Sequence, residues 1–313
     1  GVCMKTTAEY CSLFNLDSSE TVAYNNPLFP AYVRYGILST YPDYSAVSHW
    51  HEDLEFILIK TGKMTYNVNG QLVELYENDG IMVNSRQLHY GFSAEHNECE
   101  FICILLSPKL LQGNEWFYQN YIERVTENSS YPYLYLAHDG WEAAILEKLD
   151  KMYQSFCKHA EEDKVCNEGG GAYFEVMEDF ISIMKVLYEH LDLEARPIKK
   201  ESSELASLRR MVTYIEEHFM ECVTLENIAA AGACCKSKCA LLFKKYLRDT
   251  PITYTTKLRL RKSLAALLDS DKSITEIAYE YGFGGASYYG ETFQKYYGTS
   301  PLKYRKMMMQ RSA

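Results

Sequence analysis

Four side chains are spaced for chemistry: His49, His51 and Glu55 within one short stretch, and His89 further along. On an extended strand, positions 49, 51 and 55 share one face, together with Ile57 and Ile59. His89, from the end of a neighbouring strand, completes a set of three imidazoles and one carboxylate. These donor types hold divalent metals, and they also bind small polar ligands. Three readings stay open: a pocket that binds a polar ligand directly, a metal centre on His49, His51, Glu55 and His89, or histidines that only line a polar mouth. Tyr66, Tyr35 and Trp50 could supply aromatic walls or simply pack in the core. No further base, nucleophile or phosphate loop accompanies the set, which argues against catalysis.

A second chemistry is electrostatic. The chain carries a net charge of −10. Residues 205–313 hold 17 Lys and Arg against 10 Asp and Glu, a net +7, which leaves −17 on the remainder. A basic third on an acidic chain is the footprint of a nucleic-acid module. Lys236, Lys238, Lys244, Lys245, Arg259, Lys295 and Arg305 form the expected phosphate-contacting set, which positions a protein on a duplex without reading its sequence.

The elements that must position these groups fall into two parts, so the expected fold class is α+β with two domains. Tyr32–Leu38, Leu54–Lys60, Lys63–Val68, Gln71–Tyr76, Gly80–Asn84 and Glu100–Leu106 read as short strands, and residues 1–28 as an arm. Asn69-Gly70 predicts a type I′ hairpin in which Val68 faces Gln71, Tyr66 faces Val73 and Met64 faces Leu75. Closely spaced strands without intervening helices predict a small sandwich or barrel. Two amphipathic helices follow, separated by a polar loop with Gly169-Gly170-Gly171. One has a stripe of Trp141, Ile145, Leu149, Met152, Tyr153 and Phe156; the other runs from Phe174 to Leu191. The 141–156 stripe is the expected interface of a homodimer. Residues 1–191 are thus expected to form a ligand-sensing and dimerising domain, 192–204 a charged linker, and 205–313 a helical domain.

Within that last domain a pattern occurs twice. Thr224-Leu225-Glu226-Asn227-Ile228-Ala229 and Ser273-Ile274-Thr275-Glu276-Ile277-Ala278 each offer an N-cap. Gly232 and Gly282 follow as expected left-handed turns, then helices anchored by Phe243 and Phe293. The ten cysteines lack a paired spacing and read as reduced core residues. No apolar run reaches the roughly 20 residues of a membrane span, so a cytoplasmic protein without membrane contact is expected.

The stretch from about Leu205 to Lys306 resembles the arabinose-operon regulator (AraC/XylS) family. The match is sharpest over Gly282-Phe283, Ser287-Tyr288-Tyr289, Phe293, Lys295, Gly298, Pro301 and Tyr304-Arg305, with Tyr289 where Phe is usual. The resemblance implies two helix-turn-helix units, double-stranded DNA as partner and transcription regulation as function. It also implies base-reading positions at Ser237, Ala240 and Leu241, beside Lys236, Lys238 and Lys244. In the second unit it implies Ala286, Ser287, Tyr288, Gly290 and Glu291, near Lys295. The His49/His51/Glu55/His89 spacing resembles the first motif of the cupin superfamily, where such residues bind a divalent metal. The second motif is incomplete, with Gly80 present but Arg86 where Pro is expected. This implies a cupin-like sensor for a small-molecule effector, a carbohydrate by family default. The alternative is a cupin metalloenzyme, a dioxygenase or isomerase, fused to a DNA-binding module.

Overall fold

The computed structural model describes residues 22–162, 171–194, 203–269 and 272–312. Most of the arm, Gly169-Gly170 and residues 195–202 of the expected linker lie outside them. The described chain divides into two compact units, with residues 22–40 and 44–194 in one and 203–312 in the other.

Among the described residues the N-terminal unit has seven antiparallel strands: β1 (Ala31–Ile37), β2 (Leu54–Val68), β3 (Gln71–Tyr76), β4 (Gly80–Val83), β5 (His89–Phe92), β6 (Cys99–Leu106) and β7 (Tyr133–Leu136). Strand β2 is shared between two layers. Its first half lies between β6 and β4 in the order β1-β6-β2-β4-β7, and Lys63–Val68 lies between β3 and β5. The two strands expected at 54–60 and 63–68 are therefore one bent strand. The bend is a register shift between Ile59 and Thr61, followed by Gly62 at φ 78°. A Cβ at Gly62 would lie 2.4 Å from the Glu98 carbonyl oxygen, so only glycine fits.

Closure into a barrel, one of the two expected forms, is corrected. The layer ends at β1 and β7, each with one strand neighbour among the described residues. The hairpin pairs in the expected register, with Asn69 and Gly70 both at positive φ (51° and 82°).

Helices α1 (Ala143–Glu162) and α2 (Ala172–His190) cover the larger layer. Ile145, Leu149 and Met152 are buried with Val176, Phe180, Ile183 and Leu187 of α2 and Phe56, Leu58 and Ile104 of the sheet. This corrects the expected dimer interface: the 141–156 stripe has its partners within the chain. On α2, Phe174 and Ile181 are instead exposed.

The C-terminal unit is helical: α3 (Ser203–His218), α4 (Leu225–Ala231), α5 (Lys236–Leu247), α6 (Pro251–Asp269), α7 (Ile274–Glu280), α8 (Ala286–Tyr297) and α9 (Pro301–Ser312). Helix α3 begins inside the stretch read as a linker. Thr224 caps α4 through the Asn227 amide, and Ser273 with Glu276 forms a complete capping box on α7. Gly282 takes the left-handed turn (φ 76°). Gly232 does not; Ala233 does (φ 52°). Gly232 is small for another reason, since a Cβ there would lie 2.6 Å from Met211 Cγ on α3. Both units anchor the second helix alike, with Phe243 edge-on to Tyr254 and Phe293 edge-on to Tyr304. No described helix is long and apolar enough to cross a membrane.

Candidate functional site

His49, His51, Glu55 and His89 come together, although the route differs from a single extended strand. Only Glu55 lies in β2; residues 49–53 bend ahead of it. Non-local backbone bonds hold the bend. His49 and His89 exchange both N–H···O bonds (3.1 and 2.8 Å), and the Arg86 amide donates to the His51 carbonyl (2.7 Å). Arg86, where the cupin pattern has Pro, also pairs with Glu52 (2.9 Å) and Glu127 (2.7 Å), clamping the same segment. Gly80 serves packing: a Cβ there would lie 2.3 Å from the Ile57 carbonyl oxygen.

One donor atom from each of the four residues lies within 4.8 Å of every other, and all four side chains are buried. Each histidine has Nδ1 on a backbone carbonyl: His49 on Val47 (2.7 Å), His51 on Asp53 (3.0 Å) and His89 on Gln87 (2.8 Å). A carbonyl only accepts, so Nδ1 carries the proton and Nε2 presents its lone pair. His51 Nε2 and His89 Nε2 each stand 3.4 Å from Glu55 Oε2. His89 Nε2, though buried, makes no hydrogen bond. Burial and the adjacent His89 bring the His49 pKa down to about 3, which keeps it neutral. Burial alone would raise Glu55; a proton taken up by His89 or His51 outweighs it and holds the carboxyl well below its usual range.

Tyr66 joins the set: its hydroxyl donates to Glu55 Oε1 and its ring stacks on His89. Tyr35 does not, because it donates to Glu100 and packs on Tyr153. Trp50 is half-buried between His49 and His51 in sequence. Asp53 was not foreseen. Its carbonyl fixes His51, and its buried carboxyl accepts from the Tyr24 hydroxyl (2.9 Å).

In the C-terminal unit the expected contact positions lie on outward faces. Along α5, Cys239, Leu242, Phe243 and Tyr246 are buried, while Lys236, Ser237, Ala240, Leu241 and Lys244 are exposed and Lys238 is half-buried. Leu241 is 58% exposed and Leu242 0%, which settles the helix register against a core role for Leu241. Along α8, Tyr289 and Phe293 are buried. Ser287, Tyr288, Glu291 and Lys295 are exposed, with Ala286 and Gly290 half-buried. Tyr289 finds a partner for its extra hydroxyl in Ser263 Oγ (3.0 Å).

Two members of the expected phosphate set are corrected. Arg259 donates to the carbonyls of Phe219 (2.6 Å) and Glu221 (2.7 Å), just past α3. Arg305 donates to those of Leu267 (2.6 Å) and Lys272 (2.8 Å), around the end of α6. Both guanidinium groups satisfy carbonyls at helix ends, which charge counting cannot reveal. Arg305→Ala is therefore expected to cost about 2 kcal/mol in urea unfolding, from lost charged hydrogen bonds. The salt slope of DNA binding should stay unchanged. A flatter slope at unchanged stability would restore Arg305 to the phosphate set.

Comparison with known proteins agrees with this layout. Residues 32–139 match the AraC-like ligand binding domain, and residues 228–307 match a helix-turn-helix domain. The uncharacterized HTH-type transcriptional regulator YdeC of Bacillus subtilis is 30% identical over 263 residues, 83% of this chain and 86% of that protein. The HTH-type transcriptional activator RhaS of Mannheimia succiniciproducens is 24% identical over 263 residues, 82% of this chain and 88% of that one. The melibiose operon regulatory protein of Escherichia coli K12 is 33% identical over 102 residues, 33% of this chain and 34% of that one. These relatives are regulators, and the metalloenzyme alternative finds no support among them. The chain belongs to the AraC family of transcription regulators, with an AraC-like ligand-binding domain and a helix-turn-helix DNA-binding domain.

Proposed function

We propose that this regulator senses a small polar effector at a divalent metal held by His49, His51, Glu55 and His89. The observation that carries this reading is the shared tautomer. Three buried imidazoles keep Nδ1 on backbone carbonyls, His51 and His89 bring Nε2 to 3.4 Å from one Glu55 oxygen, donor atoms of all four residues lie within 4.8 Å of one another, and His89 Nε2 is left without a hydrogen bond. A buried polar atom of this kind is costly unless something binds it. When bound, a divalent ion supplies a Lewis-acid anchor for an oxygen of the effector. Tyr66 holds the second oxygen of Glu55 and so fixes the carboxylate. A carbohydrate is the favoured effector class; one relative is named for the melibiose operon.

DNA is met by the outward faces of α5 and α8. Lys236, Lys238, Lys244 and Lys295 contact phosphates, and Ser237, Leu241, Ser287, Tyr288 and Glu291 face bases. Ala240, Ala286 and Leu241 offer no hydrogen bond, so base readout is sparse and groove shape carries more of the specificity. Two units address sites about one helical turn apart. A cytoplasmic homodimer suits this reading, since it doubles a sparse code, but it uses a face other than the buried stripe of α1.

Native mass spectrometry of the full-length protein tests the metal. One divalent ion per chain is expected, and none in His51→Ala. If wild-type protein refilled in turn with zinc, nickel, cobalt or iron(II) keeps no ion through desalting, the cluster binds its effector without metal.

A further inference from the structure

Several lysines that the recognition helix α5 offers to DNA are already held by acids. Lys238 donates to Glu204, and so do Lys245 (2.8 Å) and the hydroxyl of Tyr246 (3.1 Å). Lys238 and Lys245 are two helical turns apart, so one carboxylate spans the flank of α5. Lys236 is engaged in the same manner by Glu226 of α4. Glu204 is the more heavily committed of the two acids. Lys238, then Lys245 and Tyr246, pull its carboxyl down to about 2, so it stays ionised throughout the physiological range.

We propose that Glu204 is an internal competitor for DNA phosphate, occupying Lys238 and Lys245 in the free protein and yielding them when α5 meets a duplex. The proposal rests on the reading that the outward face of α5 contacts the DNA backbone. A carboxylate and a phosphodiester are both singly charged oxygen acceptors, and an ammonium bridged to one is less available to the other. Exposed lysines that replace condensed counterions steepen the salt dependence of binding by about 0.9 per contact. Lysines bound to Glu204 must first exchange that partner, so part of their contribution is cancelled. Glu204 thus lowers affinity for every DNA sequence alike, and the few base readers gain weight against that reduced background. The residue is the second of α3. A change in the first turn of α3 therefore alters how many lysines α5 can offer.

Binding of full-length protein to a random-sequence duplex, titrated at several salt concentrations, tests this. Glu204→Gln removes the charge while keeping an acceptor for Tyr246. It is expected to raise affinity roughly tenfold near 0.1 M salt and to steepen the log–log slope by about one unit, half of what two unopposed contacts would contribute. Glu217→Gln, an exposed acid on the same helix, makes the same change in net charge and should do little. Lys238→Ala should weaken binding to all sequences and flatten the slope by about half a unit, less than a full contact because Glu204 cancels part of it. If Lys238→Ala weakens binding but Glu204→Gln does not strengthen it, Glu204 positions its lysines instead of withholding them, and the proposal is wrong. An equal gain from Glu217→Gln would reduce the effect to net charge and also overturn it. If neither Lys238→Ala nor Lys245→Ala weakens binding, α5 does not meet phosphates, and the reading beneath the proposal falls with it.

Discussion

Chelation of the purified regulator is expected to lower its first thermal transition by roughly 8–16 °C. An ion that binds only the folded pocket, at about a thousand times its dissociation constant, stabilises it by about 4 kcal/mol. For a unit of this size each kcal/mol is worth roughly 2–4 °C. The expectation follows from the cluster, where four buried donors converge and His89 Nε2 lacks a hydrogen bond. Scanning calorimetry of wild type, His89→Ala and Tyr66→Phe, each with and without chelator, separates the cases. Tyr66→Phe leaves all four donors in place and should keep most of the shift. His89→Ala should melt at nearly the same temperature with and without chelator, whatever its own baseline. A chelator shift that survives in His89→Ala would put the ion somewhere other than this cluster.

Local chemistry is what the sequence displayed well. Asn69-Gly70 predicted both the hairpin and its register, because positive φ at two successive positions admits few residues and few turns. The caps at Thr224 and Ser273 were legible for the same reason. Strand continuity was not. Thr61-Gly62 looks like a turn, yet it is a bend inside β2, decided by the partner strand β6. Strands β5 and β7 have four residues each, no shorter than β4, but lack the boundary glycine that marks β4 at Gly80. The clustering of His49, His51, Glu55 and His89 is legible in residue type and spacing, but no continuous strand assembles it. Reciprocal bonds between His49 and His89, and the Arg86 amide on His51, did so across long sequence separations. Arg259 and Arg305 were misread because a positive charge looks the same in sequence whether it faces phosphate or a helix end. Glu204 escaped notice because the charged run before it masked the start of α3.

The α1 stripe shows most directly how periodicity identifies an apolar face but not its partner, and it gives the largest stability effect expected in the molecule. Leu149 is 1% exposed and lies in the core that joins α1, α2 and the sheet. Leu149→Glu would place a carboxylate in the apolar cluster that holds Phe56, Ile104, Phe180 and Leu187. The lost burial alone is worth about 2–5 kcal/mol, judged from Leu→Ala substitutions. Desolvating the carboxylate adds several more, or else its pKa rises until it is neutral. The sum reaches the whole stability of an ordinary domain. Calorimetry of the full-length variant should therefore lack the cooperative transition of the N-terminal unit. The C-terminal unit has a core of its own around Leu260, Leu264, Tyr289 and Phe293, and its transition should persist. Leu149→Ala should keep both transitions, with the first shifted down by about 2–5 kcal/mol. An interface role predicts the opposite pattern. Leu149→Glu would then stay folded with both transitions intact, and sedimentation would show its mass halved relative to wild type. That outcome would mean that the stripe meets a second chain and that the packing of α1 on its own sheet is wrong.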